Sequence, residues 1–230
     1  MAWSVGLAWQ VLIGLSWALW GRWRQQPRLV RPLMLFLVGC GVTLEAVVFC
    51  LWDAWPAAEE SIWFVCYISA AMVGKRLPGM AWWLALLGGL LGGLLLGGQA
   101  AVMASLPGAP AAAVIWLSFF GSAFGGGVLL YTALSAQWQA EMHLGVLNVL
   151  AVGVLAASVL IGSQLWFLIN INTSLSLQLC LALGGLIYSG VVQPLKWLQQ
   201  PGMPQKKRLW LAFILFSFCT WWLRNEYYFH

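Results

Sequence analysis

Charged residues are scarce in this sequence, and their scarcity limits the class of protein. The chain of 230 residues has 11 Lys and Arg and 6 Asp and Glu, so that charged residues make up 7% of it. A typical soluble domain has about 25% charged residues, and a water-soluble surface cannot be built from so few charges. The composition therefore excludes soluble enzymes, nucleic-acid-binding proteins and disordered chains.

Hydrophobic residues, in contrast, make up 62% of the chain and form continuous runs. A membrane β-barrel would instead need alternating segments of ~10 residues. The third run is short, so we expect its helix to extend into flanking Glu60 or Lys75. The sequence predicts an all-α polytopic membrane helix bundle, a single transmembrane domain over residues 1–230 with about eight transmembrane helices. The eight runs are residues 3–21, 32–52, 60–74, 80–104, 110–134, 144–169, 174–195 and 209–223.

The basic residues predict how these helices are oriented. Ten of the 11 Lys and Arg residues lie in the first, third and seventh loops, whereas the second loop contains Asp53, Glu59 and Glu60. Because cytoplasmic loops are enriched in Lys and Arg, we expect the odd-numbered loops in the cytoplasm and both termini outside, in the periplasm. No basic residue precedes the first run, so we expect a membrane helix there and not a cleaved signal peptide.

Histidine and paired cysteine are also lacking. His143 lies in a predicted cytoplasmic loop and His230 at the outer C-terminus, so their imidazoles cannot bind one haem iron. The five cysteines form no C-x-x-C pair and lie in apolar runs, where we expect small buried hydrophobes. No cluster of His, Asp and Glu has the spacing of metal ligands. We therefore expect neither haem nor a metal.

Glycine is abundant in the fourth and fifth runs, where it recurs at G-x-x-x-G spacing. Small residues at this spacing allow membrane helices to approach closely, so we expect tight packing between the fourth and fifth helices. The glycines concerned are Gly88, Gly89, Gly92, Gly93, Gly97, Gly121 and Gly125.

Glu45 is the acidic residue that lies within a predicted span, ~12 Å below its outer edge at 1.5 Å per residue. A carboxyl group there needs a partner or a function. One interpretation is a protonated side chain hydrogen-bonded to a neighbouring helix, and the other is a proton acceptor that faces a ligand cleft. Trp52 shares its helix face at the i, i+7 spacing.

The predicted outer face collects the remaining candidate residues. Asp53, Glu59 and Glu60 occupy the second loop, and Arg224 with Tyr228 ends the eighth run at i, i+4 spacing. Arg224 is either one side of an exposed ion pair, which would contribute little to stability, or part of a site. An acidic rim, an intramembrane Glu and aromatic side chains would suit a site that takes protons from a quinol.

Three segments carry a resemblance to a known family. The segment "VGKRLPGMAWWLALLGGLLGG" has a K/R-x-P turn followed by a Trp/Leu/Gly helix, and "IWLSFFGSAFGGGVLLYTAL" has a Trp, a Phe-Phe pair and a Gly-rich centre. The segment "RLWLAFILFSFCTWWLRNEYY" ends on Arg224, Tyr227 and Tyr228. In these features the chain resembles the membrane anchor subunit of bacterial dimethyl sulfoxide reductase and its relatives. One departure is the family's L-H-L-G-x-P turn, which reads "LWDAWP" here, with Trp52 at the His position.

The resemblance implies a non-catalytic anchor in the bacterial inner membrane that serves anaerobic respiration. Such a subunit would hold a molybdopterin catalytic subunit and an iron–sulfur subunit, and would oxidise menaquinol from the quinone pool near the outer face. Glu59 or Glu60 would match the family's Glu near the start of the third helix. Two alternatives stay open: a small multi-pass transporter, and an assembly or interaction protein of the membrane without a ligand.

Overall fold

The structure is a computed structural model that describes residues 2–22, 27–52, 58–74, 76–105, 111–138, 144–170, 176–199 and 206–227. Throughout these residues the regular secondary structure is helical, in agreement with the predicted all-α class. The helices are α1 Ala2–Arg22, α2 Pro27–Trp52, α3 Ala58–Val73, α4 Pro78–Ala104, α5 Ala112–Trp138, α6 Leu144–Asn170, α7 Leu177–Ile187, α8 Gln193–Gln199 and α9 Lys206–Tyr227.

Each of the eight apolar runs coincides with a helical segment. The seventh run is a continuous helix over Leu177–Gln199, in which α7 and α8 are joined by one π-helical turn. The third run does extend through Glu60, since α3 begins at Ala58 and ends at Val73. By length and composition, four of the described segments can cross a membrane: Pro78–Ala104, Ala112–Gln137, Val146–Trp166 and Leu177–Gln199.

Helices α1 and α5 form the centre of the bundle. They pack extensively against each other, with α2, α3 and α4 on one side and α6, α7 and α9 on the other. One hydrophobic cluster joins α1 to α2, α3 and α4, and a second joins α5 to α6, α7 and α9. The outer helices expose large apolar side chains, such as Leu94 (73% exposed) and Leu155 (67% exposed). Such surfaces suit contact with lipid, as in a membrane protein.

Glycine permits the closest backbone approach in the bundle, and this approach joins α1 to α5. A Cβ atom at Gly14 would lie 1.7 Å from the carbonyl oxygen of Ala123, and one at Gly127 would lie 2.2 Å from the carbonyl carbon of Gly14. A side chain at either position would therefore force the two backbones apart.

Helices α4 and α5 do pack against each other, with Leu96 and Ala100 of α4 in one cluster with Ile115 of α5. The glycines of α4 nevertheless meet side chains and not the α5 backbone. Trp116 of α5 lies at Gly97, and aromatic side chains of α1 and α3 lie at other α4 glycines, such as the Tyr67 ring at Gly88 and the Trp17 indole at Gly89. The Trp17 indole N–H also donates to the Gly89 carbonyl oxygen at 2.8 Å. The G-x-x-x-G spacing predicted that a second helix backbone would approach these glycines closely. The space beside them is instead filled by large side chains.

The π-helical turn Tyr188–Val192 has a local cause in Pro194. Proline has no N–H to donate to the carbonyl four residues earlier, and its ring clashes with that carbonyl. The chain widens just before it, so that the Gln193 N–H donates to the Tyr188 carbonyl, five residues back. The backbone at Gly190 lies close to α6 and α9, because a Cβ atom there would be 2.9 Å from Ala157 Cβ and 3.0 Å from the Phe216 ring.

Candidate functional site

Arg224 lies inside the bundle, where it exposes 3% of its surface. Its Nη1 donates to Gln10 Oε1 at 2.6 Å, and its Nη2 donates to Ser122 Oγ at 2.8 Å. The same Nη2 lies 2.9 Å from the carbonyl oxygen and 3.1 Å from the Oγ of Ser118. One guanidinium thus connects α9 to both central helices. The expectation of an exposed ion pair at Arg224 is wrong.

The direction of α9 explains why this arginine points inward. Side chains on a helix lean toward its N-terminus. Arg224 is three residues before the end of α9, so its side chain leans back along the helix into the bundle. Its partners lie in the first halves of their helices, because Gln10 is the ninth of the 21 residues of α1 and Ser118 is the seventh of the 27 residues of α5.

The polar network extends to a fourth helix. The Gln164 amide of α6 donates to Ser118 Oγ at 3.0 Å, and the Ser122 hydroxyl donates to Gln10 Oε1 at 2.7 Å. The Phe119 ring lies below the guanidinium, with its centroid 4.7 Å from the Arg224 Cζ. Cations are attracted to such ring faces. We call Gln10, Ser118, Ser122, Gln164 and Arg224 the buried polar network.

The hydrogen bonds of this network offset the cost of burying a charge. Hydrogen bonds between membrane helices contribute ~0.6 kcal/mol each on average, so the four made by Arg224 contribute about 2–3 kcal/mol. An arginine at the centre of a membrane helix costs about 2.5–3.5 kcal/mol on insertion scales, and this is an upper limit for Arg224, which lies three residues before the end of α9. The network also defines the relative positions of α1, α5, α6 and α9.

Glu45 is partly buried on α2, on the side that faces α3. It follows Gly41 by four residues and so lies on the same helix face. A Cβ atom at Gly41 would be 2.3 Å from the Phe64 ring of α3. This contact directs Glu45 toward the bundle, which is where a costly intramembrane carboxyl group is usually found.

Glu45 and Arg224 lie at the same end of the bundle. Trp9, which precedes Gln10 of the buried polar network, packs against Phe64 with ring centroids 5.6 Å apart. Phe64 in turn contacts the α2 face on which Glu45 lies. The two residues nevertheless belong to helices with different main neighbours, because α2 packs against α1 and α3, whereas α9 packs against α5 and α7.

The other predicted site residues are only partly described. Trp52 ends α2, and Glu59 and Glu60 lie in the first turn of α3, while their side chains lie outside the described residues. Asp53 and Tyr228 lie wholly outside them. The described partners of Arg224 come from α1 and α5 and not from the second loop.

Sequence reasoning missed Gln10, Ser118, Ser122 and Gln164. The available signal was polar side chains within apolar runs, since Gln10 and Gln164 interrupt the first and sixth runs and Ser118 and Ser122 are four residues apart. Polar residues inside membrane segments usually face other helices or a cavity. The pattern therefore indicated a buried polar surface, although it did not indicate which residues would meet.

Metal and haem ligands were not expected. Within the described part of the chain, no group of three or more His, Cys, Asp and Glu residues is placed to hold a metal ion. His143 and His230, on which the haem argument depends, lie outside the described residues.

Comparison with known proteins found no relative of this chain. The chain matches no protein-family model, no curated protein and no solved structure.

Proposed function

We propose that this chain is the membrane anchor subunit of a molybdopterin-type reductase complex in the bacterial inner membrane. In this role it oxidises menaquinol near the outer face and passes electrons to an iron–sulfur subunit. The observation that carries the proposal is a partly buried carboxyl group, Glu45, and a buried cation, Arg224, in one all-helical bundle. The sequence resemblance supplies the class of complex.

The proposed mechanism divides the work between the quinol and the protein. Oxidation of a quinol to a quinone releases two electrons and two protons, and this chemistry belongs to the quinol itself. Glu45 accepts the protons of the two quinol hydroxyl groups one after the other, and the acidic residues Asp53, Glu59 and Glu60 pass each of them toward the outer solution. The i, i+7 spacing of Trp52 from Glu45 would add an apolar wall on the same helix face. The electrons leave toward the iron–sulfur subunit.

Arg224 and Tyr228 have a different role in this proposal. The guanidinium of Arg224 is hydrogen-bonded to Gln10, Ser118 and Ser122, so it acts as a positioning residue. It holds α1, α5 and α9 in register, and Tyr228 follows it by four residues in the sequence. The surface of α2 that faces the quinol is then positioned by the central pair of helices, α1 and α5.

A second function is supported by the same network. The two terminal nitrogens of Arg224 donate to groups of the protein itself, which is also what an assembly or interaction protein without a ligand would need. In that case Glu45 is a protonated hydrogen-bond donor to a neighbouring helix. The two functions differ in what Glu45 does, and the experiment below separates them.

The test of Glu45 is the variant Glu45→Gln, with Thr43→Val on the same helix as a matched control. Thr43 is exposed, and its hydroxyl donates to the Gly39 carbonyl oxygen, so its removal should leave the bundle intact. We expect Glu45→Gln to insert normally and to slow menaquinol-dependent reduction at least ~10-fold, since an amide cannot accept the proton. Thr43→Val should be close to wild type.

The complex itself is tested by purification of the tagged chain from anaerobically grown cells. We expect the chain to carry with it molybdenum, iron–sulfur clusters and two further subunits. If it is purified without molybdenum and iron, the anchor proposal is wrong and the assembly function is favoured. If Glu45→Gln is fully active but less stable in detergent, Glu45 is a structural hydrogen-bond donor and its role as proton acceptor is wrong.

A further inference from the structure

A cavity of about 480 Å³ opens between α1, α5 and α6, at the end of the bundle opposite Arg224. Arg22, the last residue of α1, belongs to its lining, whereas Gln10, which precedes Arg22 by 12 residues on α1, belongs to the buried polar network. The volume is within the range of about 300–1,000 Å³ found for small-molecule sites. This site is therefore separate from the one proposed for the quinol.

The cavity has a polar end and an apolar end. Arg22 and Asn148 lie at the level of the helix ends, where the lining residue Gly21 is exposed and leaves the mouth open. Trp17 precedes Arg22 by five residues and so lies ~7.5 Å deeper along α1, and Val152 lies ~6 Å deeper than Asn148 along α6. Phe124 and Val128 of α5 complete the deeper wall with apolar surface.

We propose that this cavity binds an anionic phospholipid, with its phosphate at Arg22 and Asn148 and part of one acyl chain against Trp17, Phe124 and Val152. A guanidinium matches the geometry and charge of a phosphate group. Basic pockets between transmembrane helices on the cytoplasmic side bind anionic lipid headgroups, and Arg22 lies on the side that the basic loops predict to be cytoplasmic.

The order of the lining residues favours a lipid over a free phosphate ion. The polar groups lie at the ends of α1 and α6, and the apolar wall lies further along both helices. Because α6 is long and apolar enough to cross a membrane, we expect the polar end at the level of the headgroups and the apolar wall toward the membrane interior. An inorganic anion would leave that wall unoccupied. A quinone would also fill the wall, and the displacement experiment below separates a quinone from a lipid.

The test measures lipid binding to the purified full-length chain by native mass spectrometry. Phosphatidylglycerol is compared with phosphatidylcholine at equal concentrations. We expect wild type to prefer phosphatidylglycerol and Arg22→Gln to lose at least about fivefold in its affinity, the change that corresponds to ~1 kcal/mol for one arginine near the surface. The control is Arg76→Gln, an exposed arginine between α3 and α4 that is not part of the cavity lining.

A second variant, Val152→Trp, protects the test against an unstable Arg22→Gln protein. It keeps the charge but fills the cavity, so we expect it to release phosphatidylglycerol while the helical content stays at the wild-type value. The proposal is overturned if the two lipids bind equally, or if Arg76→Gln loses as much affinity as Arg22→Gln. It is also overturned if menaquinone displaces phosphatidylglycerol from wild type at equal concentration, which would assign the cavity to a quinone.

Discussion

At the scale of single residues, Arg224 shows how helix direction determines the environment of a charge. An arginine near the C-terminus of a membrane helix would be expected to reach the interface. Here the lean of the side chain toward the N-terminus carries the guanidinium into the bundle, and two glutamines and two serines complete its surroundings. The geometry requires a planar donor with two terminal nitrogens, and arginine provides it.

Arg224→Lys is therefore expected to destabilise the protein although it preserves the charge. A single ammonium cannot reach Gln10 and both serines at once, so we expect a loss of about 1–2 kcal/mol in the free energy of unfolding. The measurement is reversible unfolding in mixed micelles. Arg208→Lys, an exposed position at the start of the same helix, is the control and should unfold like wild type. Equal unfolding of the two variants would show that charge alone matters at Arg224.

The two buried glutamines should differ in their effects. Gln10 accepts from both Arg224 and Ser122, whereas the described bond of Gln164 is a single neutral one to Ser118. Since bonds to charged groups are the stronger ones, we expect Gln10→Leu to lower the free energy of unfolding by ~2 kcal/mol and Gln164→Leu by ~0.6 kcal/mol. The same micelle assay checks this order. A larger effect for Gln164→Leu would contradict the central position given to Gln10.

The candidate residues could be predicted from sequence, but their environments could not. Arg224 and Glu45 are conspicuous because charge is rare in apolar runs. The burial of Arg224 depends on Gln10 and Ser118, which are more than 100 residues distant in sequence from it. Their meeting is decided by which helices pack together, and periodicity in one run carries no information about that choice.

At the scale of helices, the contact between α1 and α5 depends on glycine at facing positions. The two backbones meet at Gly14 and Gly127, and a Cβ atom at Gly14 would overlap the carbonyl oxygen of Ala123. Close approach of this kind supplies the van der Waals contact that holds membrane helices together, because lipid offers no hydrophobic drive. The central pair, which positions the buried polar network, therefore depends on these two residues.

Gly14→Ala is expected to disrupt that pair. The added methyl group must push α1 away from α5, so we expect a loss of about 1–3 kcal/mol, the usual range for overpacking. Gly6→Ala on the same helix is the matched control, because no atom lies within 4 Å of a Cβ there. By helix propensity alone Gly6→Ala should be neutral or stabilising by up to ~1 kcal/mol. Similar thermal stabilities in detergent for the two variants would contradict the close contact.

The positions of the helices in the sequence could be predicted better than the helices that each one packs against. Long apolar runs locate helices because a bilayer requires ~20 residues per span, and α4, α5 and α6 lie close to the runs that predict them. The glycine spacing predicted that α4 would pack against α5, and the two helices do pack together. The spacing did not indicate that α1 and α3 would also supply partners, with Trp17 at Gly89 and Tyr67 at Gly88. Large aromatic side chains fill a small-residue surface as well as a second backbone does.

At the scale of the whole molecule, the charged residues distinguish the two ends of the bundle. Arg22 ends α1 and Arg76 follows α3, whereas Glu45 and Arg224 precede the ends of α2 and α9. The proposed lipid site lies at the basic end and the proposed quinol site at the other. Both proposals therefore depend on which end of the bundle faces the cytoplasm, and one experiment tests that orientation.

The orientation is tested by fusing alkaline phosphatase, which is active only outside the cytoplasm, to the chain at two positions. Ten of the 11 basic residues lie in odd-numbered loops, so a fusion after Lys206 should be inactive and one after His230 should be active. The two junctions flank α9, Lys206–Tyr227, and differ by the passage of that one helix. The reverse pattern would place Glu45 at the cytoplasmic face, where protons from a quinol would enter the cytoplasm. Active enzyme at both junctions would show instead that α9 does not cross the membrane, and Arg224 would then have to be held by a helix that lies along the bundle without spanning it.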